Sequence, residues 1–99
     1  MSGKIKYEFL AKTWQHSSPT GWYFISLPNE TGKEIRAHFK WMEEGWGRLK
    51  ATVQIGENKW QTAIWFDTKM DTYLLPLKAE IRKKENIEVG MEIKVTVWV

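Results

Sequence analysis

The sequence predicts a mainly-β fold: a closed barrel built from two β-β-α-β halves, with one short helix in each half. Three observations predict it. Apolar and polar residues alternate over several segments, and period two is the signature of half-buried strands. Two phrases recur in the same order. Leu27-Pro28, Glu34-Ile35-Arg36, Gly47 and Lys50-Ala51-Thr52-Val53 are followed by Leu75-Pro76, Glu80-Ile81-Arg82, Gly90 and Lys94-Val95-Thr96-Val97. The 99 residues make one domain, with the halves at about 4–55 and 59–99. Closure into a barrel removes the exposed strand edges that invite aggregation.

The elements follow in order. Residues 4–14 alternate, with Ile5, Tyr7, Phe9 and Ala11 on one face and Lys4, Lys6, Glu8 and Lys12 on the other. His16-Ser17-Ser18-Pro19-Thr20-Gly21 is turn chemistry. Trp22 to Leu27 is a second strand, apolar on both faces, and Pro28 stops it because proline cannot donate to a ladder. A helix follows. Thr31 and Glu34 have the spacing of a capping box, and Ile35, Phe39 and Met42 form its apolar stripe. Glu43 to Gly47 is a loop. Arg48 to Ile55 alternates, with Leu49, Ala51, Val53 and Ile55 inward, and Gly56-Glu57-Asn58 turns it into a return strand, Trp60 to Phe66. After the polar loop Asp67–Asp71 comes a short strand, Thr72 to Leu75, stopped by Pro76. Lys78 to Glu85 is the second helix, with Leu77 and Ile81 four residues apart and Glu80 spaced to pair with Lys84. Asn86 and Gly90 bracket its end. In the last strand Met91, Ile93, Val95, Val97 and Val99 face inward, and Glu92, Lys94, Thr96 and Trp98 outward.

Composition narrows the function. A hydrophobic fraction of 42% with 14% aromatics fits a packed globule and excludes a disordered chain. There is no Cys, hence no disulfide, thiol nucleophile or cysteine metal site. No apolar run approaches the roughly 20 residues of a membrane span, and Met1 to Glu8 has no apolar signal-peptide core. The chain therefore reads as soluble and cytoplasmic. Its formal charge is +3, mildly basic, with acids and bases interspersed as on an ordinary solvated surface.

Three segments together resemble a known family. Gly21-Trp22-Tyr23-Phe24-Ile25-Ser26-Leu27-Pro28 is similar to its first half, and Gly47 to Gly56 to its middle. Tyr73-Leu74-Leu75-Pro76-Leu77-Lys78-Ala79-Glu80-Ile81-Arg82-Lys83, followed by Asn86 to Met91, resembles its end. The family is the uncharacterised bacterial domain of unknown function numbered nineteen-oh-five, and the resemblance runs from about Tyr7 to Val99. Met91 stands where that family usually has an acidic residue. The resemblance implies a double-split β-barrel, a fold shared with AbrB-like and MazE-like proteins, which are DNA-binding dimers of β-α-β chains. Here both copies would lie in one polypeptide. Fold kinship alone does not transfer a function.

Most reactive side chains have plain structural roles as their simplest reading. His16 lies beside Ser17 and Ser18, but sequence neighbours are not a triad. His38 and Glu34 form half of a helical metal motif whose other ligands are missing. Asp67 and Asp71 lack the spacing of a calcium loop, and no phosphate-binding glycine motif occurs. No catalysis, metal or cofactor is expected. The seven Trp residues are more suggestive. Trp60 has inward parity, whereas Trp14, Trp65 and Trp98 fall on the polar parity of their strands, and Trp41 and Trp46 flank a loop. Converging outward indoles would make a stacking surface; helices laid over them would make a second core layer. The basic set is Lys33, Arg36 and Lys40 on the first helix and Lys78, Arg82, Lys83 and Lys84 on the second, with Arg36 and Arg82 equivalent in the repeat.

The resulting expectation is a non-catalytic binding or interaction module, a monomer or weak dimer. Its ligand-binding candidates are Trp22, Tyr23, Trp65 and Trp98, and the partner is an unknown small ligand or protein. An alternative is DNA binding through Arg36, Lys78 and Arg82, which the small net charge disfavours. A third reading, an enzyme, has only His16 and His38 as bases.

Overall fold

Strand β1 (Lys6–Gln15) sets the inside and outside of the molecule. Tyr7, Phe9, Ala11 and Thr13 turn toward the core, while Lys6, Glu8, Leu10 and Lys12 face solvent. The computed structural model describes residues 5–17 and 21–99. The predicted strand start at Lys4 and the Ser18-Pro19-Thr20 part of the first turn lie outside the described residues. The remaining elements are β2 (Tyr23–Ser26), α1 (Asn29–Phe39), β3 (Arg48–Ile55), β4 (Asn58–Asp67), β5 (Thr72–Pro76), α2 (Ala79–Lys84) and β6 (Glu92–Trp98). A 3-10 turn at Lys40–Met42 and a kinked turn at Gly45–Gly47 join α1 to β3.

The six strands close into an antiparallel barrel in the order β1-β2-β5-β4-β3-β6, with β6 returning to β1. Exchanging β1 with β4, β2 with β5 and β3 with β6 leaves every one of these pairings unchanged. The β2·β5 and β3·β6 contacts are each their own image, so they mark an internal pseudo-two-fold. The repeated phrases of the sequence thus sit in equivalent places. The predicted β-β-α-β order of each half is the observed one.

Two gaps in the barrel wall follow from the prolines. β2 runs into Pro28, and β5 ends at Pro76; the chain then leaves the sheet to form a helix. In consequence β1 pairs with β2 only over Thr13–Gln15, and β4 with β5 only over Trp65–Asp67. The rest of each long strand has no partner strand on that side. Each helix docks near the strand its half leaves open. Glu34 of α1 lies beside the Tyr7 hydroxyl of β1, and the Asn58 amide of β4 donates to Glu85 at the end of α2.

The core is filled by the inward set of all six strands and both helices. Ile25, Ile35, Val53, Ile64, Tyr73, Leu75, Val95 and Val97 are wholly buried. Burying such a side chain contributes about 1.5–3 kcal/mol. Short β5 is buried on both faces, from Thr72 to Leu75, because α1 packs against it. At that contact Gly32 of α1 comes so close that a Cβ would lie 2.1 Å from Thr72 Oγ1.

Several expectations are corrected. The Thr31–Glu34 capping box does not form: α1 starts three residues earlier than a Thr31 cap would place it, Pro28 occupies the cap position, and no side chain caps it. The Pro28 carbonyl instead accepts the Gly32 N–H at 2.9 Å, and the Asn29 amide bonds the Met70 and Asp71 carbonyls. Met42 leaves the apolar stripe because the helix tightens into a 3-10 turn at Lys40, which turns Met42 outward. Ile5 and Met91 are exposed because both lie beyond their strands' ends. Thr96 is buried despite its outward parity. Trp22 precedes β2 rather than belonging to it. No described helix is long and apolar enough to cross a membrane.

Candidate functional site

The gap between β4 and β5 opens a groove on the outer face of the barrel. Where β5 stops at Pro76, β4 continues back to Asn58 without a partner strand on that side. The resulting cavity, about 560 Å³, is lined by Trp22, Trp65 and Lys78 together with Arg48, Lys50, Ala51, Gln61, Thr62 and Ala63. A second cavity of about 320 Å³ adjoins it, lined by Gly21, Trp22, Tyr23, Pro76, Leu77, Lys78, Ala79 and Arg82. Trp22 and Lys78 line both, so the two form one trough.

The indoles are accessible. Trp22 is 57% exposed and Trp65 38%. Trp22 is propped from behind: its ring stacks on Phe24 (centroids 6.3 Å apart), which packs on Trp14 at 5.1 Å. Trp14 is itself fixed by its Nε1–H donating to Ser26 Oγ at 2.8 Å. This row of rings on the outer faces of β1 and β2 holds Trp22 in place without covering it. Trp65 takes the Arg48 guanidinium 5.8 Å from its ring. Tyr23 is half-buried, with the Arg82 guanidinium stacked 3.6 Å over its ring and Arg82 Nε donating to the Leu77 carbonyl at 3.3 Å.

Four cations line the trough: Arg48, Lys50, Lys78 and Arg82. Among the described residues no carboxylate lines it. Glu44, from outside, pairs with Arg48 and sits 3.8 Å from Lys50. Lys78 and Arg82 make no ion pair among the described residues.

Of the aromatic candidates, the structure brings Trp22, Tyr23 and Trp65 to this trough and leaves Trp98 elsewhere. Trp98 of β6 is half-buried with the Lys59 ammonium 4.4 Å and the Lys6 ammonium 6.0 Å from its ring centroid, in a separate depression with Glu8, Gln54 and Lys94. Of the basic candidates, Lys78 and Arg82 line the trough, and Arg36 does not. Arg36 lies 3.6 Å over the Phe66 ring with its Nε 3.9 Å from Glu43. The two repeat-equivalent arginines thus each stack on an aromatic ring, but on strands that are not equivalent.

Arg36 belongs to a closed polar cluster that the sequence did not disclose. Tyr73, wholly buried, donates its hydroxyl to Glu43, whose side chain is only 9% exposed. Burial first, and the neighbouring Glu43 carboxylate second, push the Tyr73 hydroxyl pKa upward, against a smaller pull from Arg36. Phe66 meets Tyr73 edge-on at 5.2 Å. In the sequence Glu43 is one acid in a loop, because nothing local signals that Lys40–Met42 turns the chain back over β5.

The model of an uncharacterised family, described as "Domain of unknown function (DUF1905)", matches residues 9–97. The chain belongs to this family. The match reaches all six strands, leaving out only Lys6 to Glu8 of β1 and Trp98 of β6, so this DUF1905 chain carries the trough within the family's bounds. No curated protein matches it.

Neither histidine lines the trough. The His16 backbone N–H bonds the Trp22 carbonyl at 2.7 Å, and the His38 carbonyl accepts the Trp41 indole N–H at 3.0 Å. Among the described residues no three His, Asp or Glu side chains are grouped to hold a metal ion. Trp41 (81% exposed) and Trp46 (94% exposed) are the most open indoles of the chain's described part.

Proposed function

We propose that this domain is a binding module that takes an anionic ligand with a flat apolar part in the trough between β2, β4 and α2. One observation carries the reading. Two accessible indoles, one of them backed by Phe24, share one depression with four cations and no lining acid. Aromatic faces supply contact area at little entropic cost, and cations concentrated in a concave, partly apolar site attract anions more strongly than scattered ones. Duplex DNA binding through Arg36, Lys78 and Arg82 would need all three on one face. Lys78 and Arg82 line the trough, whereas Arg36 is engaged with Glu43 and Phe66.

The test is a titration of intrinsic Trp fluorescence at low salt with nucleoside triphosphates, polyglutamate, a sulfated oligosaccharide and an oligonucleotide. At least one is expected to change the emission. The change should vanish in the Trp22→Ala/Trp65→Ala double variant, which should lose less than about 1 kcal/mol of stability because both rings are substantially exposed. An emission change that survives in the double variant would place binding elsewhere.

A further inference from the structure

We infer that the occupant of the trough is single-stranded nucleic acid, with unstacked bases lying on Trp22 and Trp65 and the backbone running past Lys78 and Arg82. This rests on the anionic-ligand reading above and narrows it to a class. Three features select that class. The indoles present faces rather than a closed slot: Trp22 is backed by Phe24 and open on its other side. Every base has a π-face, and stacking on aromatic rings combined with a cationic track is how unpaired strands are held without sequence preference. An acidic peptide would satisfy the cations but leave the rings with little to stack. A neutral sugar would stack on the rings but leave the four cations of the trough without a charge to answer.

A third indole extends the same track. Trp46 lies two residues before Arg48, the register partner of Trp65, in a loop that packs on β4 at Phe66: a Cβ at Gly47 would sit 3.0 Å from that of Phe66. Trp46 is 94% exposed and holds a left-handed backbone conformation (φ 62°, ψ 33°). That conformation is disfavoured for a bulky residue, and such outliers collect at binding sites. No ring, cation or hydrogen-bond contact of the Trp46 side chain among the described residues accounts for an indole displayed this way. A further stacking position at the Arg48 end of the trough does.

The experiment is fluorescence anisotropy of labelled oligothymidylate and oligouridylate with the whole chain, at two salt concentrations. A duplex of equal length and polyglutamate serve as competitors. Both single strands are expected to bind more tightly at low salt, and both competitors to displace them poorly. Trp22→Ala and Trp65→Ala should each weaken binding roughly tenfold, and Trp46→Ala by a similar factor. Lys78→Gln should weaken it and make the dependence of log affinity on log salt shallower by roughly 0.7. Lys78 is exposed, so this arm remains readable if an indole variant unfolds. If polyglutamate displaces the strand efficiently and its own binding needs Trp22 and Trp65, the nucleic-acid assignment fails while the anionic trough stands. Equal or tighter binding of duplex overturns the single-strand assignment. Failure of the single strands to bind at low salt overturns it too, and silence of every anionic probe overturns the trough reading as well. Single-strand binding indifferent to Trp22→Ala, Trp65→Ala and Lys78→Gln overturns the site.

Discussion

Replacing Glu43 by alanine is expected to destabilise the barrel by about 3 kcal/mol. The figure combines two losses. The Tyr73 hydroxyl, at zero exposure, would be left without its acceptor, and an orphaned buried donor costs about 1–3 kcal/mol. Arg36 would lose its carboxylate partner while still stacked on Phe66. Its share is smaller because the guanidinium side chain is 29% exposed and water can screen it. In a domain of this size the loss lowers Tm by on the order of 15 °C. Thermal unfolding of Glu43→Ala beside Tyr73→Phe checks it. Tyr73→Phe should cost about half as much, since Glu43 keeps Arg36, and the double variant should lose less than the sum of the two.

The same cluster gives an alkaline signature. The folded-state pKa of Tyr73 is raised above its ordinary value of 10.0. The folded state therefore holds the proton more tightly than the unfolded chain does. The associated stability is fully present below about pH 10 and is lost as pH rises beyond it, because the unfolded tyrosine ionises first. Urea midpoints of the native chain should fall between neutrality and about pH 11, and those of Tyr73→Phe should fall less. Tyr7, raised by burial and then by Glu34, acts in the same direction and remains in the variant. An identical decline in both proteins would remove Tyr73 from the account.

Gly32→Ala carries the second large effect. On an isolated helix alanine is better than glycine by about 1 kcal/mol. Here the added methyl would lie 2.1 Å from Thr72 Oγ1 and 3.1 Å from Thr72 Cα, and the latter is backbone that cannot swing aside. Thr72 Oγ1 also donates to the Leu27 carbonyl at 2.9 Å, a bond the methyl would displace. Overpacking of this kind costs about 1–3 kcal/mol and occasionally more, so the net change should be a loss of about 2 kcal/mol. Thr72→Ala removes the nearest clash, and the double variant should be less destabilised than the two single changes added together. A gain in stability from Gly32→Ala alone would show that α1 does not sit this close to β5.

The barrel was legible because period-two alternation is a local signal with a global meaning. Leu49, Ala51, Val53 and Ile55 could only face one side, and the observed β3 buries all four. The repeated Leu-Pro phrases marked where strands end, and those stops are what split the wall. Helix boundaries were less legible. Thr31 and Glu34 have capping spacing, but Pro28 had already fixed the entry to α1, and tertiary contact with β5 outweighed the local cap. Strand parity placed Trp65 outward, and its meeting with Trp22 needed the β2·β5·β4 order, which no local pattern encodes. Trp98 shares the parity of Trp65 but lies on β6, across the barrel order, so parity alone could not separate them. Glu43 was invisible for the same reason: its partner Tyr73 is thirty residues away.

The most direct test of the trough is the indole N–H region of a two-dimensional ¹H–¹⁵N NMR spectrum, recorded while the labelled chain is titrated with oligothymidylate at low salt. Seven indoles give seven resolvable reporters. The trough predicts that Trp22 and Trp65 shift together, with Trp46 following and the backbone amides of Lys78 and Arg82 moving in step. Trp60 and Trp98 should stay in place. Shifts centred on Trp98 with Trp22 and Trp65 unmoved, or no indole shift at saturating strand, would contradict it.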